Sequence, residues 1–209
     1  IYMTYGLTEM ASQVTTTAKG EALSALGTCG HPLDPKSVMI DKNDEILVRG
    51  NSLFSGYLQN EGVHLPLNTE GWFATRDLGC WDQNGRLCYK GRKDLLFRCG
   101  GEFVSPEEIE REIVQIQGIE HVVVVPSEDP EYGKCPVALL KLMESQRSNW
   151  EKTIARVENR LRECLPSHKR PRAYLPLPEK QSPELKINRK ELETYANEVY
   201  PVRGSGNPK

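Results

Sequence analysis

The sequence has almost no excess of either charge and no long apolar run. Its 27 Lys and Arg residues stand against 29 Asp and Glu residues, which leaves a formal net charge of −2. This balance gives no strong electrostatic field that would recruit nucleic acid or an acidic membrane. No apolar run approaches the roughly 20 residues that a membrane-spanning helix needs. We therefore expect neither membrane insertion nor a nucleic-acid partner.

The sequence also lacks paired cysteines. Its six cysteines are scattered, and none of them forms a CxxC pair. This pattern argues against a zinc site or a disulfide framework and favours reduced thiols in a cytoplasmic protein. The cysteines are Cys29, Cys80, Cys88, Cys99, Cys135 and Cys164.

The composition is ordinary for a globular protein, with 38% hydrophobic and 27% charged residues among 209. This length suits one large domain or two small ones with their own cores. The sequence opens at Ile1 within a strand-like run and without an initiating methionine. We expect it to be part of a longer protein.

The first half is rich in glycine, turns and short strands. Asp41 to Asp44 predicts the turn of one hairpin, between strands 37–40 and 45–49, and Asn84-Gly85 predicts the turn of a second. The small polar stretch from Val14 to Ser24 predicts a loop. We expect residues 1–93 to form a small distorted β-barrel or sheet, the C-terminal part of a larger domain.

The second half alternates helix and strand, which predicts a compact α+β domain over residues 94–200, joined to the first part by a hinge. The start of its first helix is signalled by Ser105-Pro106-Glu107-Glu108, with Ser105 as the cap. Residues 201–209 are expected to be a flexible tail. The periodicity predicts helices at 106–117, 150–165 and about 188–197, strands at 122–126 and 136–143, and an extended stretch at 170–178.

Several short motifs carry side chains suited to chemistry. Tyr5-Gly6-Leu7-Thr8-Glu9 places a hydroxyl and a carboxylate at a strand end, where they would suit a phosphate and its divalent cation. The alternative is a turn capped by Thr8. Asp77, between aromatic and glycine positions, could accept both hydroxyls of a ribose, or it could be an exposed acid at a strand end.

The remaining candidates lie further along the chain. Arg92 could hold a ribose or a phosphate, and Asp94 could mark a point of backbone rotation. The alternative for each is an ordinary surface ion pair. Gly100-Gly101 allows a close approach of the backbone to a ligand or to another domain. Lys186 could meet phosphates, or it could be a solvated surface cation.

The order of these motifs resembles the adenylate-forming superfamily of acyl-CoA ligases, nonribosomal adenylation domains and luciferases. The resemblance runs from Tyr5 to Leu192. Within the superfamily, these motifs resemble those of the bacterial o-succinylbenzoate–CoA ligases of menaquinone biosynthesis. The motifs in chain order are Tyr-Gly-x-Thr-Glu, Gly-Trp-x-x-Thr-x-Asp-x-Gly, Gly-Arg-x-Asp, Gly-Gly-Glu, Pro-x-Glu-Ile-Glu and Lys-Ile-x-Arg.

The resemblance implies a two-step ligase. A carboxylate, by this resemblance o-succinylbenzoate, would attack the α-phosphate of ATP with Mg²⁺ present and release pyrophosphate. The CoA thiol would then attack the acyl-adenylate and release AMP. Tyr5 and Gly6 would lie at the nucleotide, with Tyr5 beside the adenine. Thr8 would bind phosphate, and Glu9 would ligate Mg²⁺.

The resemblance also assigns roles near and beyond the junction. Asp77 and Arg92 would hold the ribose, and Asp94 would be the hinge. Gly100 and Gly101 would face the pantetheine tunnel. Lys186 would reach the α-phosphate and carboxylate oxygens in the adenylating state.

The sequence departs from the family pattern at two positions, and two of the family's parts are missing. Arg76 stands where the family usually has glycine before the aspartate, and Leu185 replaces the glycine before the lysine. The phosphate-binding loop and the acyl pocket lie outside this sequence, so we expect the chain to be inactive alone. Three other functions remain open: a ligase for another acid, a carrier-loading adenylation domain and a non-catalytic nucleotide-binding module. A homodimer also remains open.

Overall fold

The computed structural model describes residues 1–21, 23–178 and 187–200. The chain divides into two compact units, residues 1–94 and residues 95 onward. Helices and strands both occur, as the predicted α+β class requires. No described helix has the length and apolar character that crossing a membrane would require. The domain roles assigned to residues 1–93 and 94–200 stay predictions, and the tail at 201–209 lies outside the described residues.

The first unit is built from three small antiparallel sheets, with strand orders β1-β2-β3, β4-β5-β8-β9 and β6-β7. Both predicted hairpins are present, and the Asn84-Gly85 turn joins β8 to β9. The strands are β1 (Thr4–Leu7), β2 (Ser12–Thr16), β3 (His31–Pro32), β4 (Ser37–Ile40), β5 (Glu45–Arg49), β6 (Tyr57–Gln59), β7 (Gly62–His64), β8 (Phe73–Trp81) and β9 (Leu87–Arg92).

The core of this unit joins two of the sheets. It contains Tyr5 and Val14 from the first sheet, together with Ile46, Phe73 and Leu87 from the second. The prediction of a loop from Val14 was wrong at its start, because β2 continues to Thr16. The polar β-branched residues there pair with strands on both sides, and this pairing outweighs their loop-like composition.

The second unit is a five-stranded sheet with helices on both faces. Its order is β11-β10-β13-β12, and β14 pairs in parallel with β13. The elements are β10 (Phe97–Cys99), β11 (Glu102–Val104), α1 (Pro106–Val114), β12 (Ile119–Asp129), β13 (Gly133–Leu142), α2 (Trp150–Cys164), β14 (Ala173–Pro176) and α3 (Arg189–Val199).

Strand β12 explains the layering of this unit. Val124 packs with α1 and α2 on one face, whereas its neighbours Val123 and Val125 pack with α3 on the other. Successive side chains of a strand point to opposite faces, so a strand covered on both sides is apolar at consecutive positions. This accounts for the uninterrupted valine run.

The start of α1 differs from the prediction. Ser105 makes no side-chain cap, and its Oγ is buried without a hydrogen-bond partner among the described residues. Pro106 does occupy the first turn, followed by Glu107 and Glu108. The fixed φ of proline and the two acids near the positive helix end support this terminus instead.

Candidate functional site

Three strands of the first unit bring Tyr5, Asp77 and Arg92 together. Asp77 on β8 lies directly across from Arg92 on β9 in the antiparallel register. Arg92 Nη1 donates to Asp77 Oδ1 at 3.2 Å, and Tyr5 Oη from β1 donates to Asp77 Oδ2 at 2.7 Å. Both oxygens of the carboxylate are thus oriented by donors from neighbouring strands.

Asp77 is only 5% exposed. Its backbone N–H donates to Thr75 Oγ1 at 3.1 Å, which fixes the backbone beside the carboxylate. Burial, together with the hydrogen bond to Asp77, raises the pKa of Tyr5 above its ordinary value. Tyr5 therefore remains a proton donor to Asp77 at neutral pH. A buried charge held in this way has a well-defined orientation.

The network continues to Asp94. Arg92 Nη2 donates to Asp94 Oδ2 at 3.3 Å, and Arg76 Nε donates to Asp94 Oδ1 at 2.7 Å, with a second Arg76 bond from Nη2. These bonds, that of Arg76 foremost, hold the pKa of Asp94 below its usual range. The pKa of Arg92 is raised because its acidic neighbours outweigh the opposing effect of its partial burial. The predicted ribose and hinge residues form one connected set.

Gly6 and the residues after it follow β1. A β-bulge separates Tyr5 from Gly6, and a Cβ on Gly6 would lie 2.3 Å from the carbonyl oxygen of Ser12, so only glycine fits there. A short 3₁₀ helix, Thr8–Met10, comes next, with Thr8 exposed and Glu9 half-buried. The strand end therefore turns sharply and presents Thr8 near the surface.

Glu9 is held by two contacts. Its carboxylate Oε1 accepts from Tyr57 Oη at 2.7 Å, and its backbone carbonyl accepts from the Phe54 N–H at 2.7 Å. In the part of the chain that the structure describes, no three His, Cys, Asp or Glu side chains converge as a metal site. A magnesium ion at Glu9 would therefore need further oxygen ligands, and Mg²⁺ readily takes these from phosphates and water.

Gly100 and Gly101 form the turn between β10 and β11. Their φ values of 59° and 90° lie in the left-handed region, which favours glycine at both positions. A Cβ on Gly100 would also lie 3.0 Å from the ring of Tyr132. The Gly-Gly step is thus required by this hairpin itself, and the pantetheine role remains a proposal.

Comparison with known proteins shows which proteins this chain resembles. A family model described as the AMP-binding enzyme C-terminal domain matches residues 108–184. The 2-succinylbenzoate–CoA ligase of Haemophilus influenzae is 37% identical over 191 residues, covering 91% of this chain and 40% of the relative. The chain carries the C-terminal domain of the adenylate-forming superfamily.

Two further comparisons give the extent of this similarity. The 2-succinylbenzoate–CoA ligase of Escherichia coli is 41% identical over 137 residues, which cover 66% of this chain and 29% of the relative. Wild-type E. coli MenE with a bound phenylether-linked analogue of OSB-AMS matches with a TM-score of 0.73 and 35% identity, covering 94% of this chain and 40% of that one. The chain spans at most about two fifths of these relatives.

Lys186, the predicted catalytic lysine, lies outside the described residues, whereas the residues that follow it in the sequence are described. Ile187 packs against the core of the second unit. Arg189 makes a bidentate ion pair with Glu110, with Nη1–Oε1 and Nη2–Oε2 distances of 2.8 Å and 3.0 Å. The two motifs Pro-x-Glu-Ile-Glu and Lys-Ile-x-Arg therefore meet through their last charged residues.

Sequence reasoning missed two contacts of this candidate site. The contact of Tyr57 with Glu9, which lies 48 positions away, was not predicted. Arg76 was recognised only as a departure from the family glycine, whereas the structure pairs it with Asp94. Neither pairing has a local spacing signal in the sequence.

Proposed function

We propose that the chain forms the C-terminal part of an acid–thiol ligase. The enzyme would activate o-succinylbenzoate with ATP to an acyl-adenylate and transfer the acyl group to CoA, in menaquinone biosynthesis. The observation that carries the proposal is the convergence of Tyr5, Asp77 and Arg92 from three strands. The similarity to 2-succinylbenzoate–CoA ligases supports the choice of acid.

Asp77 and Arg92 are assigned to the ribose. A carboxylate accepts hydrogen bonds from vicinal hydroxyls, and its orientation here is set by Tyr5 and Arg92. Arg92 is 42% exposed at its side chain, so its guanidinium also faces solvent at the rim of the site. Tyr5 itself is buried and stacks on Tyr89 with ring centroids 6.2 Å apart, so little of its surface remains for the adenine that the resemblance places beside it.

Thr8 and Glu9 are assigned to the phosphates. The Thr8 hydroxyl would donate to a phosphate oxygen, and the Glu9 carboxylate, steadied by Tyr57, would ligate Mg²⁺. The metal, when bound, neutralises charge that develops on the phosphate oxygens. Gly6 lets the chain turn between Tyr5 and these two residues, so one strand end supplies the whole group.

Lys186, Asp94 and the Gly100-Gly101 turn complete the proposal. Lys186 would stabilise charge on the α-phosphate and carboxylate oxygens during adenylation. Asp94 would be the hinge at which the second unit rotates, and the glycine turn would then border the pantetheine of CoA. One mobile unit could in this way serve both half-reactions in turn.

The test uses the full-length protein with ATP, Mg²⁺ and a panel of carboxylates that includes o-succinylbenzoate. AMP release is followed with and without CoA, for wild type, Lys186→Ala and the matched control Lys190→Ala. Lys190 is exposed on α3, so its loss should leave turnover unchanged. Lys186→Ala should lose the adenylation step by about two orders of magnitude or more, as removal of a key electrostatic group does.

The outcomes separate the alternatives. CoA-dependent turnover with o-succinylbenzoate, lost in Lys186→Ala alone, supports the whole proposal. Turnover with another acid, or transfer to a carrier protein in place of CoA, would support the adenylation mechanism but contradict the assignment to menaquinone biosynthesis. Nucleotide binding without an adenylate from any acid would indicate a non-catalytic module.

A further inference from the structure

Arg76 occupies an unusual place in strand β8. Leu47 pairs with Ala74 and Glu45 pairs with Leu78, so three residues of β8 lie opposite the single residue Ile46. The backbone of Arg76 within this bulge has φ 64°, in the left-handed region that favours glycine. β-Bulges re-aim side chains, often next to active sites. A strained arginine here calls for a compensating contact.

The bulge directs the Arg76 side chain onto Asp94. Both Nε and Nη2 of the guanidinium donate to Asp94 Oδ1, and the backbone N–H of Arg76 donates to Glu45 Oε1 at 3.1 Å. Lys93 Nζ is bonded to the other oxygen of the same Glu45 carboxylate. The segment Lys93-Asp94 is thus tied to β5 through Glu45 and to β8 through Arg76.

We infer that Arg76 is a positioning residue that restrains the hinge at Asp94 and so sets the balance between the two half-reactions. The inference rests on the proposed function. A backbone rotation at Asp94 moves its carboxylate, whereas a planar guanidinium satisfies its hydrogen bonds in one narrow geometry. An interaction made in only one of two states shifts their populations by its own strength.

Two properties distinguish this pair from a casual surface contact. Glycine would adopt the backbone angle at position 76 without strain, so the strain of the arginine backbone must be offset by the contacts of its side chain. The other oxygen of the Asp94 carboxylate accepts a hydrogen bond from Arg92, and Arg92 also donates to Asp77. The restraint is thereby connected to the assigned ribose site. The hinge is therefore held from the nucleotide side as well.

The experiment compares Arg76→Gly with Asp44→Gly in the full-length protein. Asp44 has nearly the same backbone angle, φ 63°, and its exposed carboxylate pairs with Lys90 at 3.2 Å, far in sequence from the hinge. Like Arg76→Gly, Asp44→Gly removes a strained backbone angle and an exposed ion pair, so it controls for both effects. Arg76→Lys keeps the charge but removes the paired Nε and Nη2 donors to Asp94 Oδ1.

Single-turnover rates of adenylate formation and of acyl transfer to CoA are measured separately. In Arg76→Gly the ratio of the two rates should change by about threefold, as the loss of one exposed charged pair predicts. Arg76→Lys should fall between wild type and Arg76→Gly, and Asp44→Gly should keep the wild-type ratio. An unchanged ratio in Arg76→Gly, or an equal change in Asp44→Gly, would overturn the inference.

Hydrogen exchange of the amides at residues 93–96 tests the restraint without catalysis. Exchange there should be several-fold faster in Arg76→Gly than in wild type and unaffected in Asp44→Gly. If wild type makes no adenylate, the proposed function fails and this exchange experiment alone decides the restraint. Equal exchange in wild type and Arg76→Gly would then reject it.

Discussion

At the scale of single residues, Asp77 links the stability of the first unit to its chemistry. Its carboxylate is almost fully buried and is held by Tyr5 and Arg92. Burying a charge is costly unless hydrogen bonds replace its hydration. The donors that would orient Asp77 for the proposed ribose contact also make its burial tolerable, and their removal should affect both properties.

The Tyr5 hydroxyl offers a direct test through pH. Tyr5→Phe should lower the free energy of unfolding at pH 8 by about 1–3 kcal/mol, because it leaves a buried acceptor short of one donor. The folded state raises the pKa of Tyr5, so wild type loses this stability as pH rises above about 10, where the unfolded tyrosine ionises. Urea unfolding from pH 8 to 11 should therefore show the two proteins converging.

A constant difference between wild type and Tyr5→Phe across this range would contradict the prediction. Tyr2→Phe is the matched control, because Tyr2 is 58% exposed on the same segment. It should follow the wild-type pH profile.

The cysteines predict a graded reactivity. Cys99 and Cys135 are buried with their Sγ atoms 3.5 Å apart. Burial, and to a smaller extent this contact, raises the pKa of Cys135 to about 12. Both thiols are shielded by burial, and the reactive thiolate form of Cys135 is further disfavoured, so both should resist a thiol reagent at pH 7.5 until the protein unfolds. Cys164 is exposed and should react first. Mass spectrometry of peptides from native protein checks this, and early labelling of Cys135 would refute it.

At the scale of elements, the Glu110–Arg189 pair fastens α3 to α1 and to β12. Arg189 Nη1 also donates to the carbonyl of Val124 at 2.9 Å, and the Val124 N–H donates to Glu110 at 2.7 Å. Glu110→Gln should lower the free energy of unfolding by about 2 kcal/mol, since a partly buried charge loses its partner. The measurement is urea unfolding at pH 7.

Glu112→Gln is the control on the same helix. Glu112 pairs with Arg160 at 2.7 Å, in a pair that is more exposed on its arginine side. Its loss should cost clearly less than that of Glu110. Equal losses would mean that the Glu110 pair is no more than a surface contact.

Sequence periodicity predicted most elements of the second unit, and the reason is local. Helix α2 was expected at 150–165 and is found at Trp150–Cys164, with Val157 and Leu161 on its buried face. Strand β12 was expected at 122–126 but spans Ile119–Asp129, because its ends are defined by pairing with β13. The β10–β11 hairpin was missed, since its short strands flank a glycine turn without a periodic signal.

The site was predictable in its members but not in its connections. Tyr5, Asp77 and Arg92 could be chosen from motif order, yet the sequence does not show that they share one carboxylate. Nor does it show that Arg76 takes a left-handed backbone to reach Asp94. Such contacts depend on strand register and on a bulge, which are set by tertiary packing.

At the scale of the whole molecule, the chain holds the assigned ribose, hinge and Gly-Gly positions but spans only about two fifths of the ligases that it resembles. The isolated chain should therefore fold but release no AMP from ATP with any carboxylate. The full-length protein should do so under the same conditions, as a coupled AMP assay would show. Turnover by the isolated chain above the level of a matched Lys186→Ala chain would contradict this division.

The long β12–β13 hairpin also bears on how the second unit folds. Residues paired within this hairpin are at most 23 positions apart in the sequence, as Ile119 and Leu142 are. Residues paired between β13 and β14 are 36 positions apart, as Val137 and Ala173 are. Closing a short loop costs less entropy, so the hairpin with α1 is expected in the folding transition state and β14 after it. Val124→Ala should then slow refolding, while Leu175→Ala should mainly speed unfolding.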